Sequence, residues 1–247
     1  MQNNMKAVIL AAGKGTRMKS DLPKVVHTIH GKCLVDYVIE AARGAGAQDI
    51  CLVVGYKQDV VCSSILHKDV TFTLQPEQLG TGHAVKCARE FLGDDGTTMI
   101  LFGDTPLITA ETLSRFAQYH EKHQNAVTVL SARVENPYGY GRIIRDAEGN
   151  FVKSVEHKDA TEAERESHEI NSGMYLFDTL QLKEALDLLQ PDNAQGEYYL
   201  PDTLEIIKGK GLRVDAFMLD EPEDISGVND KEQLAQAADI IAKRQNV

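Results

Sequence analysis

Tryptophan is missing from the 247 residues altogether, proline is held to seven and cysteine to four. The tryptophan gap excludes no function. Cys33, Cys51, Cys62 and Cys87 include no CxxC pair, so they make neither a zinc site nor a disulfide set and read as reduced, mostly buried small hydrophobes. No apolar run is long enough to cross a bilayer. The run AVILAA that follows MQNNMK is too short for a signal peptide, and a glycine-rich basic loop stands where a cleavage site belongs. A cytoplasmic protein is expected. Positive charge is also scarce, with 26 Lys and Arg against 37 Asp and Glu for a net −11. Duplex binding depends on a basic face, so nucleic acid is not an expected partner, and neither is a membrane. No Pro/Ser-rich linker, internal repeat or low-complexity tract divides the chain, and its eight histidines form no HExxH, so His27, His30 and His83 are assigned no chemistry.

What is present fits an ordinary globular chain, 43% hydrophobic and 26% charged, long enough for one large α/β domain or two small ones. Strand-like and helix-like runs alternate through the first half. Strands are expected at 6–10, 50–54, 70–74, 98–102 and 127–132, with helices at 34–43, 58–66, 83–91 and 110–123 between them. This alternation predicts an α/β fold with a mostly parallel sheet flanked by helices, whose ligands lie outside the carboxyl ends of the strands. From 139 to 177 the pattern changes to short strands and polar turns, read as a smaller antiparallel insertion over the mouth of the site. Helices at 180–189 and 198–208, a strand at 212–219 and a last helix from 230 to about 244 complete the expectation.

The stretch KAVILAAGKGTRMKSDLPK, Lys6 to Lys24, organises the rest. A buried strand opens into a loop carrying Gly13 and Gly15, where a backbone without Cβ atoms and tolerant of positive φ lets N–H groups converge on a phosphate. Residues 1 to 32 hold six Lys and Arg against one acid, Asp21, so a basic loop sits on an acidic protein, as an enzyme of small polyanions needs. Two familiar phosphate loops fail here. A P-loop needs Gly-Lys five residues after Gly13, and the dinucleotide fingerprint needs its third glycine at the same place, but Met18 stands there.

Further along, Gln75 ends a strand before Gly80, Thr81 and Gly82. Its amide offers donor and acceptor together, matching the imide edge of uracil; the alternative is a plain helix entry capped by Thr81. Asp104 follows a buried strand, where an acid needs solvent or a cation, and suits Mg²⁺, which takes one or two protein oxygens and completes its shell with phosphate and water; it also reads as a turn residue ahead of Pro106. Gly141, Glu156 and Asn171 offer an N–H, a carboxylate and an amide for a sugar, though each alone reads as a turn or strand-edge residue. Asn229, with Glu232 three positions on, has the spacing of a helix N-cap.

LAAGKGTRM followed by LPK resembles the signature of the sugar-nucleotidyltransferases, and LQPEQLGTGHA, VEHKDA, EINSGMY and GVN narrow the likeness to N-acetylglucosamine-1-phosphate uridyltransferases over essentially all 247 residues. The resemblance implies a Rossmann-like fold, with residues 1–229 as the nucleotidyltransferase domain and 230–247 as a C-terminal helix that begins the linker of longer relatives. It implies that Leu10, Ala11, Ala12, Gly13, Lys24, Gln75, Gly80, Thr81, Phe102 and Gly103 hold the nucleotide. Arg17 would face the leaving pyrophosphate, and Lys24 the transferring phosphate. Gly141, Glu156, Asn171 and Asn229 would bind the sugar, and Asp104 with Asn229 would hold Mg²⁺. Phe102 departs from the Tyr or Cys of many relatives, which spares a backbone contact but not a hydroxyl one.

The implied substrates are UTP and a sugar-1-phosphate, here N-acetylglucosamine-1-phosphate. A relative that joins dTTP to glucose-1-phosphate and a silent nucleotide-sugar sensor are the alternatives. LGTGHA and VEHKDA speak against the first, and intact Lys24, Asp104 and Asn229 against the second. No DxD triplet supports a glycosyltransferase. Hexapeptide repeats of the β-helix found in longer relatives are absent from these residues, so acetyl transfer is not expected of them, and a monomer is.

Overall fold

Strand β1 (Met5–Ala11) is apolar on both faces because both are covered. Ala7, Ile9 and Ala11 enter one core, and Val8 and Leu10 the other, which is the two-residue period of a strand at the centre of a sheet. The computed structural model describes residues 4–193 and 195–245. Positions 1–3, 194, 246 and 247 lie outside it, including the start of MQNNMK and the last two residues of the 230–247 segment.

After β1 come a short hairpin of β2 (Thr28–Ile29) and β3 (Lys32–Cys33), then α1 (Leu34–Gly44), β4 (Asp49–Val54), α2 (Gln58–Ser64) and β5 (Thr71–Leu74). The chain continues through α3 (Thr81–Cys87), α4 (Arg89–Leu92), β6 (Thr97–Phe102), α5 (Ala110–Lys122) and β7 (Val127–Arg133). β8 (Arg142–Arg145), β9 (Phe151–Val155), α6 (Glu162–Arg165), β10 (Glu169–Asp178) and α7 (Thr179–Leu188) follow. The last elements are α8 (Asp202–Gly209), β11 (Val214–Leu219) and α9 (Lys231–Gln245).

The strands order as β5-β4-β1-β6-β10-β7-β11. Along this path every pair is parallel except those of β10, which runs antiparallel to β6 and β7. Side chains of α1, α2 and α5 join the Ala7/Ile9 core, and those of α3, α4, α7 and α8 the Val8/Leu10 core. A mostly parallel α/β sheet with helices on both faces, as the alternating pattern predicted, is therefore what the chain forms. Each fully buried Leu or Ile in these layers contributes about 1.5–3 kcal/mol.

Two expected helices need correction, and one hairpin was not foreseen. The helix expected over 83–91 is two helices, because the backbone leaves helical geometry at Ala88 (φ −85°, ψ 9°). The helix expected from Tyr198 starts only at Asp202: the Tyr198 N–H donates to Leu79 O at 2.8 Å and the Leu200 N–H to Thr81 Oγ1 at 3.1 Å, tying this stretch to the loop after β5. The smaller antiparallel insertion is present as β8 and β9 on the outer end of β10, whose other half runs inside the main sheet. The β2/β3 hairpin was not expected, being too short for a hydrophobic period to show.

Candidate active site

Because β1, β4, β5 and β6 are parallel, their carboxyl ends share one rim, and three connected cavities open there. The loop after β1 supplies the first wall. Gly15 takes φ +63°, and a Cβ there would stand 2.5 Å from Lys24 Cβ, so the left-handed glycine lets Lys24 tuck under the loop. Gly13 is different from what the motif suggested. Its φ is not positive and a Cβ would meet nothing within 4 Å, so it leaves open space at the cavity edge without using glycine's backbone freedom. Met18, where the two rejected loops require glycine, is fully buried against Ile29, Leu34, Leu107 and α9 residues Ala237 and Ile241, and anchors the loop.

Pro23 (φ −54°) leads into a 3-10 turn that starts at Lys24. Lys24 Nζ pairs with the Asp104 carboxylate and donates to Asn229 Oδ1 at 2.9 Å, while Arg17 Nη2 donates to the same oxygen at 2.8 Å. The sequence spread these four residues from position 17 to 229; the fold gathers them. Asn229 is free to do this because it is not the helix cap that spacing suggested. Asp230 Oδ1 accepts from Gln233 N at 2.9 Å and so takes the capping role, while Gln233 Oε1 accepts from Asn229 N at 2.7 Å. Two oxygens that already face one cation suit a hard divalent ion. Among the described residues no group of three or more His, Cys, Asp or Glu is arranged for a metal.

A cavity of about 330 Å³ runs from Leu10, Ala11, Ala12, Gly13 and Lys24 to Gln75, Gly80 and Thr81, with Phe102 and Asp104 between. Gly103 lies behind this wall, its N–H donating to Leu10 O at 3.0 Å. Gln75 is buried, and its Nε2 donates to Gly80 O at 3.1 Å and faces His83 Nδ1 at 3.2 Å. Gly80 takes φ +106°, where a Cβ would come within 2.5 Å of Tyr198 O. Thr81 does not cap α3 with its side chain; its hydroxyl accepts from Leu200 N instead.

A second cavity of about 290 Å³ is bordered by Gly141, Glu156 and Asn171, the three residues singled out for a sugar. Among the described residues the Glu156 carboxylate has no hydrogen-bond partner. Burial pushes its pKa up, and the charges of Asp159 and Asp202 push the same way. Asn171 is occupied by the protein. Its Nδ2 donates to Ser154 Oγ at 3.0 Å and Tyr175 OH at 2.8 Å, and its Oδ1 accepts from Gly173 N at 2.8 Å, so it holds the wall rigid. Asn229 is absent from this wall and borders a third cavity of about 430 Å³ with Arg17 and Asp104. Phe102 borders all three. Its ring packs on Gly173 (φ +81°), in the irregular stretch of β10 between Asn171 and Tyr175, where any Cβ would strike the ring.

Sequence reasoning missed Tyr140, Gln195, Glu197 and Tyr199, which line the second cavity. Glu197 borders the first cavity too. For the last three the signal was the density of acids and tyrosines in QGEYYLPD, concealed by reading part of it as helix.

The parallel sheet, the glycine loop at its carboxyl rim and the cation–carboxylate cluster beside it define an α/β enzyme that handles nucleotides and phosphates. The Nucleotidyl transferase family model matches residues 6–231, and the chain belongs to that family. It is 49% identical over 243 residues to the Bifunctional protein GlmU of Clostridioides difficile (strain 630), covering 98% of this chain and 53% of that one. To the Bifunctional protein GlmU of Clostridium novyi (strain NT) it is 51% identical over 241 residues, covering 97% and 53%. The chain thus spans about half the length of the curated relatives it matches. A crystal structure of UDP-glucose pyrophosphorylase complexed with UDP-glucose shares the fold, with a TM-score of 0.75 at 22% identity over 97% of this chain and 99% of that one.

Proposed function

We propose that the chain is a Mg²⁺-dependent uridylyltransferase that makes UDP-N-acetylglucosamine and pyrophosphate from UTP and N-acetylglucosamine-1-phosphate. The observation that carries this reading is the meeting of Lys24, Arg17, Asp104 and Asn229 where the Gln75 cavity adjoins the third cavity, with Asp104 lining both. In the reaction a phosphate oxygen of the sugar-1-phosphate attacks the α-phosphorus of UTP. The new O–P bond forms in line as the bond to the β-phosphate oxygen breaks, and pyrophosphate leaves with that electron pair; no covalent enzyme intermediate is needed. The main barrier is one anion approaching another, about 4 kcal/mol per close charge pair at 4 Å and an effective dielectric of ~20. Lys24 and Arg17 offset it by exchanging their partners on Asp104 and Asn229 for phosphate oxygens. Asp104 and Asn229 would then hold the ion, which when bound neutralises phosphate charge and orients the triphosphate.

Gln75 and the Gly80–Thr81 backbone would take the uracil. The Glu156 carboxylate and the Gly141 backbone would take sugar hydroxyls, with Asn171 stiffening the wall. Such a chemistry suits a cytoplasmic enzyme. Among the described residues no helix is long and apolar enough to cross a membrane. We further propose that residues 1–229 carry the transferase and that the chain acts as a monomer. The test is pyrophosphate release from protein, Mg²⁺, UTP and N-acetylglucosamine-1-phosphate, with dTTP and glucose-1-phosphate as controls. The first pair should turn over far faster than any other; equal or faster turnover of dTTP with glucose-1-phosphate would reassign the substrates.

A further inference from the structure

Gln75 was expected to offer both a donor and an acceptor to a base, but its amide is not free to do so. The two amide protons are directed at two acceptors within the protein, Gly80 O at 3.1 Å and His83 Nδ1 at 3.2 Å. A Gln75 flipped by 180° would set Oε1 against the Gly80 carbonyl, lone pair to lone pair, so the orientation is dictated by chemistry. It also fixes the imidazole: Nδ1 must be unprotonated to accept, which puts the ring proton on Nε2, where Cys87 Sγ lies at 3.8 Å as a weak acceptor. The Oε1 atom is left over. It has no partner among the described residues, and Gln75 lines the cavity that the nucleotide would enter.

We propose that His83, to which no chemistry was assigned, is the positioning residue that sets base specificity. By accepting the second Gln75 proton it makes that side chain an acceptor only. An acceptor at this point welcomes a pyrimidine with a hydrogen on N3, as in uracil, and repels cytosine, whose N3 presents a lone pair. Without His83, Gly80 O alone restrains the amide, which can then turn about its last torsion and present an N–H to the cavity, where a donor suits cytosine N3 as well as uracil O4. This inference rests on the uridine reading of the cavity.

The experiment measures kcat/KM for UTP and for CTP, with N-acetylglucosamine-1-phosphate and Mg²⁺, in the wild type, His83→Ala and His83→Asn. His83→Ala should lower the UTP:CTP ratio about tenfold, the worth of one hydrogen bond to a base, with the loss falling on KM for UTP rather than on kcat. His83→Asn, whose Oδ1 stands near the position of Nδ1, should restore most of the ratio, which a merely structural role for the ring would not do. An unchanged ratio in folded His83→Ala overturns the assignment to His83 and leaves the uridine reading standing. A wild type indifferent between UTP and CTP overturns both. Should His83→Ala fail to fold, ¹⁵N resonances of the wild-type ring decide: a protonated Nε2 with a bare Nδ1 upholds the assignment, and a proton on Nδ1 overturns it.

Discussion

Lys24 and Asn229 lie 205 positions apart in sequence, and Lys24 Nζ donates to Asn229 Oδ1 at 2.9 Å. The same ammonium pairs with Asp104, and both of those side chains are only 17% exposed. A cation thus holds together the two oxygens proposed for the metal. Entry of a triphosphate and a divalent ion would draw the ammonium onto phosphate and release the oxygens to the ion.

Lys24→Ala and Asp104→Asn are each expected to lower kcat by about 10²–10³-fold, the scale of removing one preorganised electrostatic contact at a reacting group. Thermal melting should shift by no more than a few degrees, since both side chains sit at the cleft and not in the core. Pyrophosphate release and a melting curve on the same preparations check both halves.

Asn229 and its neighbour separate the two roles that sequence spacing merged. Asp230→Ala removes the side chain that accepts from Gln233 N and should cost about 1 kcal/mol of stability while pyrophosphate release stays near wild type. Asn229→Ala should do the reverse, losing at least tenfold in activity with little change in the denaturant midpoint. Urea unfolding beside activity measurements tells them apart.

Gly173→Ala places a methyl against the Phe102 ring at a backbone of φ +81°. Strain and displacement of the ring together should destabilise the fold by about 1–3 kcal/mol. Because Phe102 borders all three cavities, activity should fall more than stability does. An intact denaturant midpoint with intact activity would remove Phe102 from its shared position.

Asp202 carries a pH dependence. Burial, then the charges of Glu205 and Asp159, raise its pKa from 3.8 to about 6. The folded state therefore holds this proton more tightly than the unfolded chain. Stability falls as pH rises from near 4 to near 6 and levels off above, where the half-buried carboxylate is ionised. Asp202→Asn should match the wild type near pH 4 and exceed it in stability at pH 8, measured by urea midpoints across that range.

Much of this was legible in the sequence. The alternation of β-branched runs with amphipathic ones gave the parallel sheet, because buried strands and half-buried helices must carry those periods. β10 was legible as a strand of the antiparallel insertion but not as a member of the main sheet, because a glycine irregularity between Asn171 and Tyr175 breaks its period between the half that meets β8 and the half that meets β6. The loop from Gly13 to Lys24 was legible as phosphate chemistry, yet the sequence could not say that of its two glycines Gly15 and not Gly13 takes a left-handed backbone, which Lys19 (φ 49°) takes as well. Asn229 and Asp230 are adjacent and similar in capping propensity, so spacing alone could not choose between them. QGEYYLPD was lost for another reason: its backbone pairs with residues 79–82, a tertiary contact that propensity does not see.

Diffraction from a crystal holding UTP and Mg²⁺ addresses the gathering of charge at the rim most directly. Lys24 Nζ should have left Asp104 for a phosphate oxygen at about 3 Å, with Asp104 and Asn229 both on the ion and the uracil N3–H at Gln75 Oε1. A triphosphate bound elsewhere, with Lys24 still paired to Asp104 and Asn229, would contradict it.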